Sequence, residues 1–207
     1  MEQKDIVISR IVDMEWKMFQ NVKNIGGRAS CQEDYDTFKI SRYSQAENWS
    51  EPALKSYLAD LEQANHDGRN LLSEKYARMM ASTSPAEYEQ IAHLLPPLDD
   101  EILSLVDTIT NIVIEWEEAV ADTYPYIAKR GRPLRSSQDT PFATSVETYL
   151  RGELMTYSQR TLGLNCEHYL QQKSAGLNGS EIILDRVVQR YGYGSLREAD
   201  DALIKRS

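Results

Sequence analysis

A short basic segment, residues 129–141, carries the densest anion-binding chemistry in the chain. Four of the 23 lysines and arginines fall within residues 129–135, and three hydroxyl residues follow closely. Guanidinium groups match the geometry of carboxylates and phosphates, and hydroxyls can donate to the remaining oxygens. We therefore predict an anion site in which Arg132 and Arg135 hold the anion while Ser136, Ser137 and Thr140 donate hydrogen bonds. The alternative is a solvated loop whose arginines pair with surface carboxylates.

A second candidate is the loop around Cys31, just before a predicted helix. The neighbouring Arg28 and the helix start can lower a thiol pKa and make Cys31 a nucleophile, with Arg28 as a further anion contact. The carboxylates of Glu33 and Asp34 oppose that effect. Asp34 is also a candidate proton acceptor or arginine partner. The alternatives for Cys31 are an inert buried thiol or a place in a pocket wall.

A third candidate lies on a helix predicted over residues 145–173. Tyr149, Glu153 and Tyr157 fall near one face of this helix at three- and four-residue spacing, and Arg151 lies beside them. The two tyrosines and Arg151 are candidate ligand contacts. Partial burial beside tyrosines would raise the pKa of Glu153, which makes it our candidate general base. The alternative is a structural glutamate paired with an arginine inside the bundle.

Composition excludes several classes of protein. A formal net charge of −9 disfavours a nucleic-acid binder, since such proteins need an extended basic face. No apolar run approaches the roughly 20 residues that cross a bilayer, and residues 1–5 do not start a signal peptide, so we expect a cytoplasmic protein without membrane contact. The three histidines are scattered and no phosphate-binding glycine motif is complete, so neither a metal nor a cofactor is expected.

Helical periodicity extends along nearly the whole chain, and alternating strand patterns are almost absent. We predict an all-α, single-domain, compact bundle of about eight helices over residues 1–207. The first helix is expected to stop before Gly26. Ser84, Pro85 and Glu87 form the clearest capping box, and they predict a helix that begins at Pro85.

Five segments resemble one bacterial family, which is known as domain of unknown function 4125. They are GRASCQED at 27–34, GRNL at 68–71, EKYARMM at 74–80, RPLRSS at 132–137 and TYLRGEL at 148–154. The resemblance implies a compact cytosolic bacterial protein. It implies no activity, so the functional hypotheses rest on the residues themselves.

Two functional hypotheses follow from these candidate residues. In the first, the protein is an enzyme that binds an anionic small molecule, a carboxylate or a phosphate, through the basic segment, with Glu153 or Cys31 performing the chemistry. In the second, it is a helical adaptor or regulatory subunit that binds a protein partner through the same loops. Either form could bury an apolar patch in a homodimer.

Overall fold

The computed structural model describes residues 3–23, 27–140 and 142–204. Gly26 and Pro141, which the sequence predictions include, lie outside these ranges. The described residues form eleven α-helices: α1 (Gln3–Gln20), α2 (Tyr35–Glu47), α3 (Glu51–His66), α4 (Leu71–Thr83), α5 (Pro85–Ile91), α6 (Asp100–Thr123), α7 (Pro125–Ala128), α8 (Val146–Leu154), α9 (Gln159–Ser174), α10 (Gly179–Arg190) and α11 (Leu196–Ile204). The predicted all-α class is confirmed over this part of the chain, with more helices than the eight expected.

Side-chain caps explain where most of these helices begin. Eight of them follow a Ser, Asn or Asp whose side-chain oxygen accepts the backbone N–H three residues later; the capping residues are Asp34, Ser50, Asn70, Asp99, Ser145, Ser158, Asn178 and Ser195. Such a bond satisfies an N–H group that has no partner within the helix.

The larger hydrophobic cluster lies where α1, α3, α6 and α9 pack together. Ile8, Leu61, Ile109 and Leu162, one from each of these helices, are fully buried. A smaller cluster joins the end of α6 to α7, α10 and α11. There the buried Asp200 carboxylate accepts the first free N–H groups of α7 and fixes that short helix against α11.

The single long helix predicted over residues 145–173 is wrong. Helix α8 ends at Leu154 and α9 begins at Gln159. The Thr156 hydroxyl donates to the Glu153 carbonyl at 2.7 Å, and the Ser158 N–H donates to Asp60 at 3.1 Å. These hydrogen bonds compete with the backbone hydrogen bonds that would continue α8, so the chain turns. Ser158 then caps α9.

The predicted capping box at Ser84 is also wrong, although a helix does begin at Pro85. The Ser84 N–H donates to the Met80 carbonyl at 2.8 Å and so completes α4, and its side chain makes no capping bond to α5. The N–H that Glu87 would have accepted is therefore already used.

Close packing of α8 on α4 sets the geometry of the site. A Cβ atom added at Gly152 would lie 2.7 Å from the Met79 Cγ and 3.0 Å from the Lys75 carbonyl oxygen. Glycine thus allows α8 to approach α4 closely, which brings Glu153 next to Lys75. No helix in the described ranges combines the length and the apolar character needed to span a bilayer.

Candidate functional site

A cavity of about 270 Å³, which we call cavity one, opens between α1, α2, α4, α8 and the basic segment. Its size is near the lower end of the range for small-molecule sites. Six charged side chains line it: Glu15, Asp34, Arg42, Lys75, Arg132 and Glu153. Three positive charges therefore face three negative ones, and their pairing decides what the cavity can bind.

Four of these side chains form a buried ion network, which consists of Glu15, Arg42, Lys75 and Glu153. Arg42 bonds both carboxylates: its Nε donates to Glu15 Oε2 at 2.8 Å and its Nη1 to Glu153 Oε1 at 2.9 Å. Lys75 Nζ donates to the other oxygen of Glu153 at 2.5 Å. Because the two cations and two carboxylates neutralise one another, the network leaves no net charge for a ligand.

Two buried tyrosines complete the hydrogen bonding of the network. The Tyr57 hydroxyl donates to Glu15 at 2.8 Å, and the Tyr157 hydroxyl donates to Glu153 at 2.7 Å. Buried carboxylates are tolerated when their lone pairs are filled in this way. Tyr157, predicted as a ligand contact, is thus a structural partner of Glu153 in this geometry.

The expectation that burial raises the pKa of Glu153 is wrong. Burial alone would raise this pKa, but the charges of Arg42 and Lys75 and the hydrogen bonds from Lys75 and Tyr157 outweigh it. The pKa of Glu153 therefore lies well below its usual value. A carboxylate that is held ionised and bonded on both oxygens is a poor general base, and the geometry matches the structural alternative.

Arg132 is the cation in the wall of cavity one that lies outside the buried ion network. Its guanidinium carbon is 4.6 Å from the centre of the Tyr149 ring, and Nη1 donates to the Thr144 carbonyl at 3.2 Å. No carboxylate of the described residues forms an ion pair with it. Lys75 Nζ lies 3.4 Å from the centre of the same ring, so Tyr149 contacts both cations.

Tyr76 and Cys31 lie in the same wall as Arg132. Burial, and then the nearby Tyr149 and Cys31 groups, raise the pKa of Tyr76, while Arg132 acts against them. Tyr76 therefore keeps its proton and can donate a hydrogen bond. Its hydroxyl donates to no other described residue. Cys31 is exposed and forms no disulfide, and it lies in a short 3₁₀ turn, Ser30–Gln32. It is therefore not the buried thiol of one alternative.

Asp34 also lines cavity one, but several other predicted residues lie outside it. Asp34 caps α2 by accepting the Thr37 N–H at 3.0 Å, and this bond lowers its pKa. Arg28 donates to the Gln32 carbonyl at 3.0 Å and approaches Glu33 at 3.7 Å. Its guanidinium thus stabilises its own loop.

The rest of the basic segment does not converge on Arg132. Arg135 pairs with Glu118 on the exposed side of α6, where its Nε lies 3.0 Å from the carboxylate. Ser136 and Ser137 lie exposed in a 3₁₀ turn, and the Thr140 hydroxyl accepts the Ala143 N–H at 3.0 Å. Arg151 points to Asp107, at 2.6 Å. The structure therefore separates the predicted clamp into one cavity residue and several surface residues.

Sequence reasoning missed three of the four residues in the buried ion network. Two of them lie among the buried apolar residues of their own helices: Glu15 on α1, and Lys75 between Leu71 and Met79 on α4. The third, Arg42, lies on α2, whose apolar face is short. A charged residue at a core position of an amphipathic helix requires a buried partner, and this signal was available. Within the described ranges, no group of three metal-ligating side chains comes together.

One protein family model, described as Protein of unknown function (DUF4125), matches residues 5–201. The comparisons with curated proteins and with solved structures gave no match. All five segments that carry the resemblance contribute a side chain to the wall of cavity one: Cys31, Leu71, Lys75, Arg132 and Glu153. The match covers nearly the whole length and confirms the resemblance, so the chain belongs to the DUF4125 family.

Proposed function

We propose that the protein binds a small anionic molecule, a carboxylate or phosphate with a flat apolar body, in cavity one. The observation that carries this proposal is the Arg132 guanidinium, which lines the cavity and has no carboxylate partner among the described residues. Arg42 and Lys75 are already neutralised, so Arg132 supplies the positive charge that a ligand would meet, while the remaining carboxylate of the wall, Asp34, accepts the Thr37 N–H at the start of α2.

The Tyr76 hydroxyl supports the same assignment. It is a donor in the wall of cavity one, and nearby Arg132 is one of the charges that act on its pKa. An anion with two oxygens can accept from the guanidinium and from this hydroxyl together. Charge-assisted hydrogen bonds of this kind are stronger than neutral ones and orient the ligand.

Aromatic side chains support an apolar body for the ligand. The rings of Phe19, Phe38 and Tyr76 lie close together, with centroid distances of 5.5 Å between the two phenylalanines and 6.4 Å between Phe19 and Tyr76. All three line cavity one. Such a surface favours a planar ring or a short apolar chain.

The enzyme hypothesis stays a proposal within this assignment. Since Glu153 is ionised and fully bonded, two candidate catalytic residues remain in the cavity wall: Asp34, whose carboxylate caps α2, and Cys31. Its exposed thiol would meet a ligand held between Arg132 and Tyr76.

Isothermal titration with benzoate tests the binding proposal, with benzamide as a neutral probe of nearly the same shape. We expect benzoate to bind more tightly than benzamide. Arg132→Gln should weaken benzoate binding by about tenfold, the lower end for a hydrogen bond to a charged group. Arg130→Gln removes the same charge from the same exposed segment and should leave the affinity unchanged.

Equal binding of benzoate and benzamide would contradict the proposal, and so would equal losses in the Arg132 and Arg130 variants. If neither probe binds while a protein partner co-purifies with the chain, the adaptor hypothesis is favoured instead.

A further inference from the structure

A second cavity of about 190 Å³, which we call cavity two, lies between α2, α6, α8, α9 and α10. It touches the far side of the Glu153 and Tyr149 side chains, which also line cavity one. The remaining side chains that line cavity two are not among the sequence candidates. Its lining differs from that of cavity one in both charge and aromatic content.

The charged side chains that line cavity two are both acidic, Glu117 and Glu153. Glu153 is neutralised by Arg42 and Lys75 within the buried ion network. Glu117 forms no ion pair with any described residue; the Ser180 hydroxyl donates to it. Cavity two therefore carries one uncompensated carboxylate, and a partly buried carboxylate without a counter-ion is costly.

Three aromatic residues face the same space: Trp116, Tyr149 and Tyr169. The rings of Trp116 and Tyr169 meet edge to face, with centroids 5.5 Å apart. Aromatic faces attract cations, and a carboxylate among aromatic rings is a common arrangement for binding an ammonium group.

Backbone packing holds Glu117 and the rings in place. A Cβ atom added at Gly179, the first residue of α10, would lie 2.6 Å from the Trp116 ring and 3.1 Å from Asn48 Nδ2. The start of α10 therefore rests directly on α6, and this contact keeps Ser180 next to Glu117. The lining is therefore closely packed where α10 begins.

We propose that cavity two binds a small organic cation, an ammonium compound whose charge pairs with Glu117 and whose substituents contact Trp116 and Tyr169. This inference does not depend on the function proposed for cavity one, because the ligand carries the opposite charge. The competing possibility is that Glu117 takes up a proton instead of binding a cation. Burial raises its pKa and the Ser180 hydrogen bond lowers it, with a net increase.

Titration of the full-length protein with choline chloride tests the inference, with 3,3-dimethylbutan-1-ol as the uncharged compound of the same shape. The tryptophan indole N–H signals are followed by nuclear magnetic resonance. We expect choline to shift the Trp116 signal and to leave those of Trp16 and Trp49 unchanged, because only Trp116 lines cavity two. The alcohol should bind at least tenfold more weakly.

Glu117→Gln should weaken choline binding at least tenfold. The matched control is Glu115→Gln, which removes the same charge from the same helix at an exposed residue that pairs with Lys173. If Glu117→Gln does not fold, the wild-type comparison of choline with the alcohol still decides the question.

Failure of choline to shift the Trp116 signal would overturn the inference. Equal binding of choline and the alcohol would also overturn it and would favour a protonated Glu117. Neither result bears on benzoate binding in cavity one.

Discussion

The variant Glu153→Gln tests whether the buried ion network is one coupled unit. The Glu153 side chain is 6% exposed and bonds Arg42, Lys75 and Tyr157. Glutamine keeps the size of the side chain but leaves two buried cations with Glu15 as their single counter-ion. Removal of one partner from a buried ion pair costs about 3–5 kcal/mol. We expect a loss of that size in the free energy of unfolding.

The double variant Lys75→Met with Glu153→Gln removes one charge of each sign. Glu15 and Arg42 then still neutralise each other through the bond from Arg42 Nε. Neutral replacement of a buried ion pair is often tolerated. The double variant should therefore be more stable than Glu153→Gln alone, with a coupling energy of about 0.5–3 kcal/mol between the two sites.

A lower pH should reduce the difference in the free energy of unfolding between wild type and Glu153→Gln. The pKa of Glu153 in the folded chain is below its ordinary value of 4.5, so the unfolded chain binds this proton first as the pH falls. The stability that Glu153 contributes is fully present above pH 4.5 and is lost below it. We expect the difference to shrink by about 1 kcal/mol between pH 4.5 and 3.5, and at a limiting slope of about 1.4 kcal/mol per pH unit below that interval.

Urea unfolding followed by circular dichroism measures these quantities, provided that the m-value stays constant across the variants. A cost below about 1 kcal/mol for Glu153→Gln would match an exposed salt bridge and would refute the buried network. A stability difference that does not change with pH would refute the depressed pKa of Glu153.

Two smaller changes probe the helices that position the network. Gly152→Ala places a Cβ atom 2.7 Å from Met79 Cγ and 3.0 Å from the Lys75 carbonyl oxygen. This overpacking should lower the free energy of unfolding in urea by about 1–3 kcal/mol. An unchanged free energy would show that α8 does not rest on α4. Ser158→Ala removes the oxygen that accepts the Thr161 N–H at 3.2 Å. It should lower the free energy of unfolding in urea by about 1 kcal/mol. An unchanged urea midpoint would show that the junction of α8 and α9 needs no cap.

The sequence predicts the helices well where apolar periodicity and caps agree. Asp99 caps α6, and Ser50 caps α3. The break between α8 and α9 was missed because residues 145–173 continue the helical pattern through Thr156 and Ser158. The bonds that turn the chain there include one to Asp60 of another helix, which local sequence does not reveal.

Several of the candidate residues line one cavity. Cys31, Arg132 and Glu153 are distant in sequence, yet all three line cavity one. Local sequence could not decide between a general base and a structural glutamate at position 153, because the ionisation of Glu153 depends on charges brought by α2 and α4. Arg135 pairs with Glu118 of α6, and composition alone does not distinguish it from Arg132.

A crystal structure of the protein with phenyl phosphate tests the central claim most directly. We predict the phosphate in cavity one, with its oxygens within about 3.2 Å of the Arg132 guanidinium and the Tyr76 hydroxyl, and the phenyl ring against Phe19 and Phe38. An anion bound instead at Arg135 on the surface, with cavity one holding water, would contradict the account.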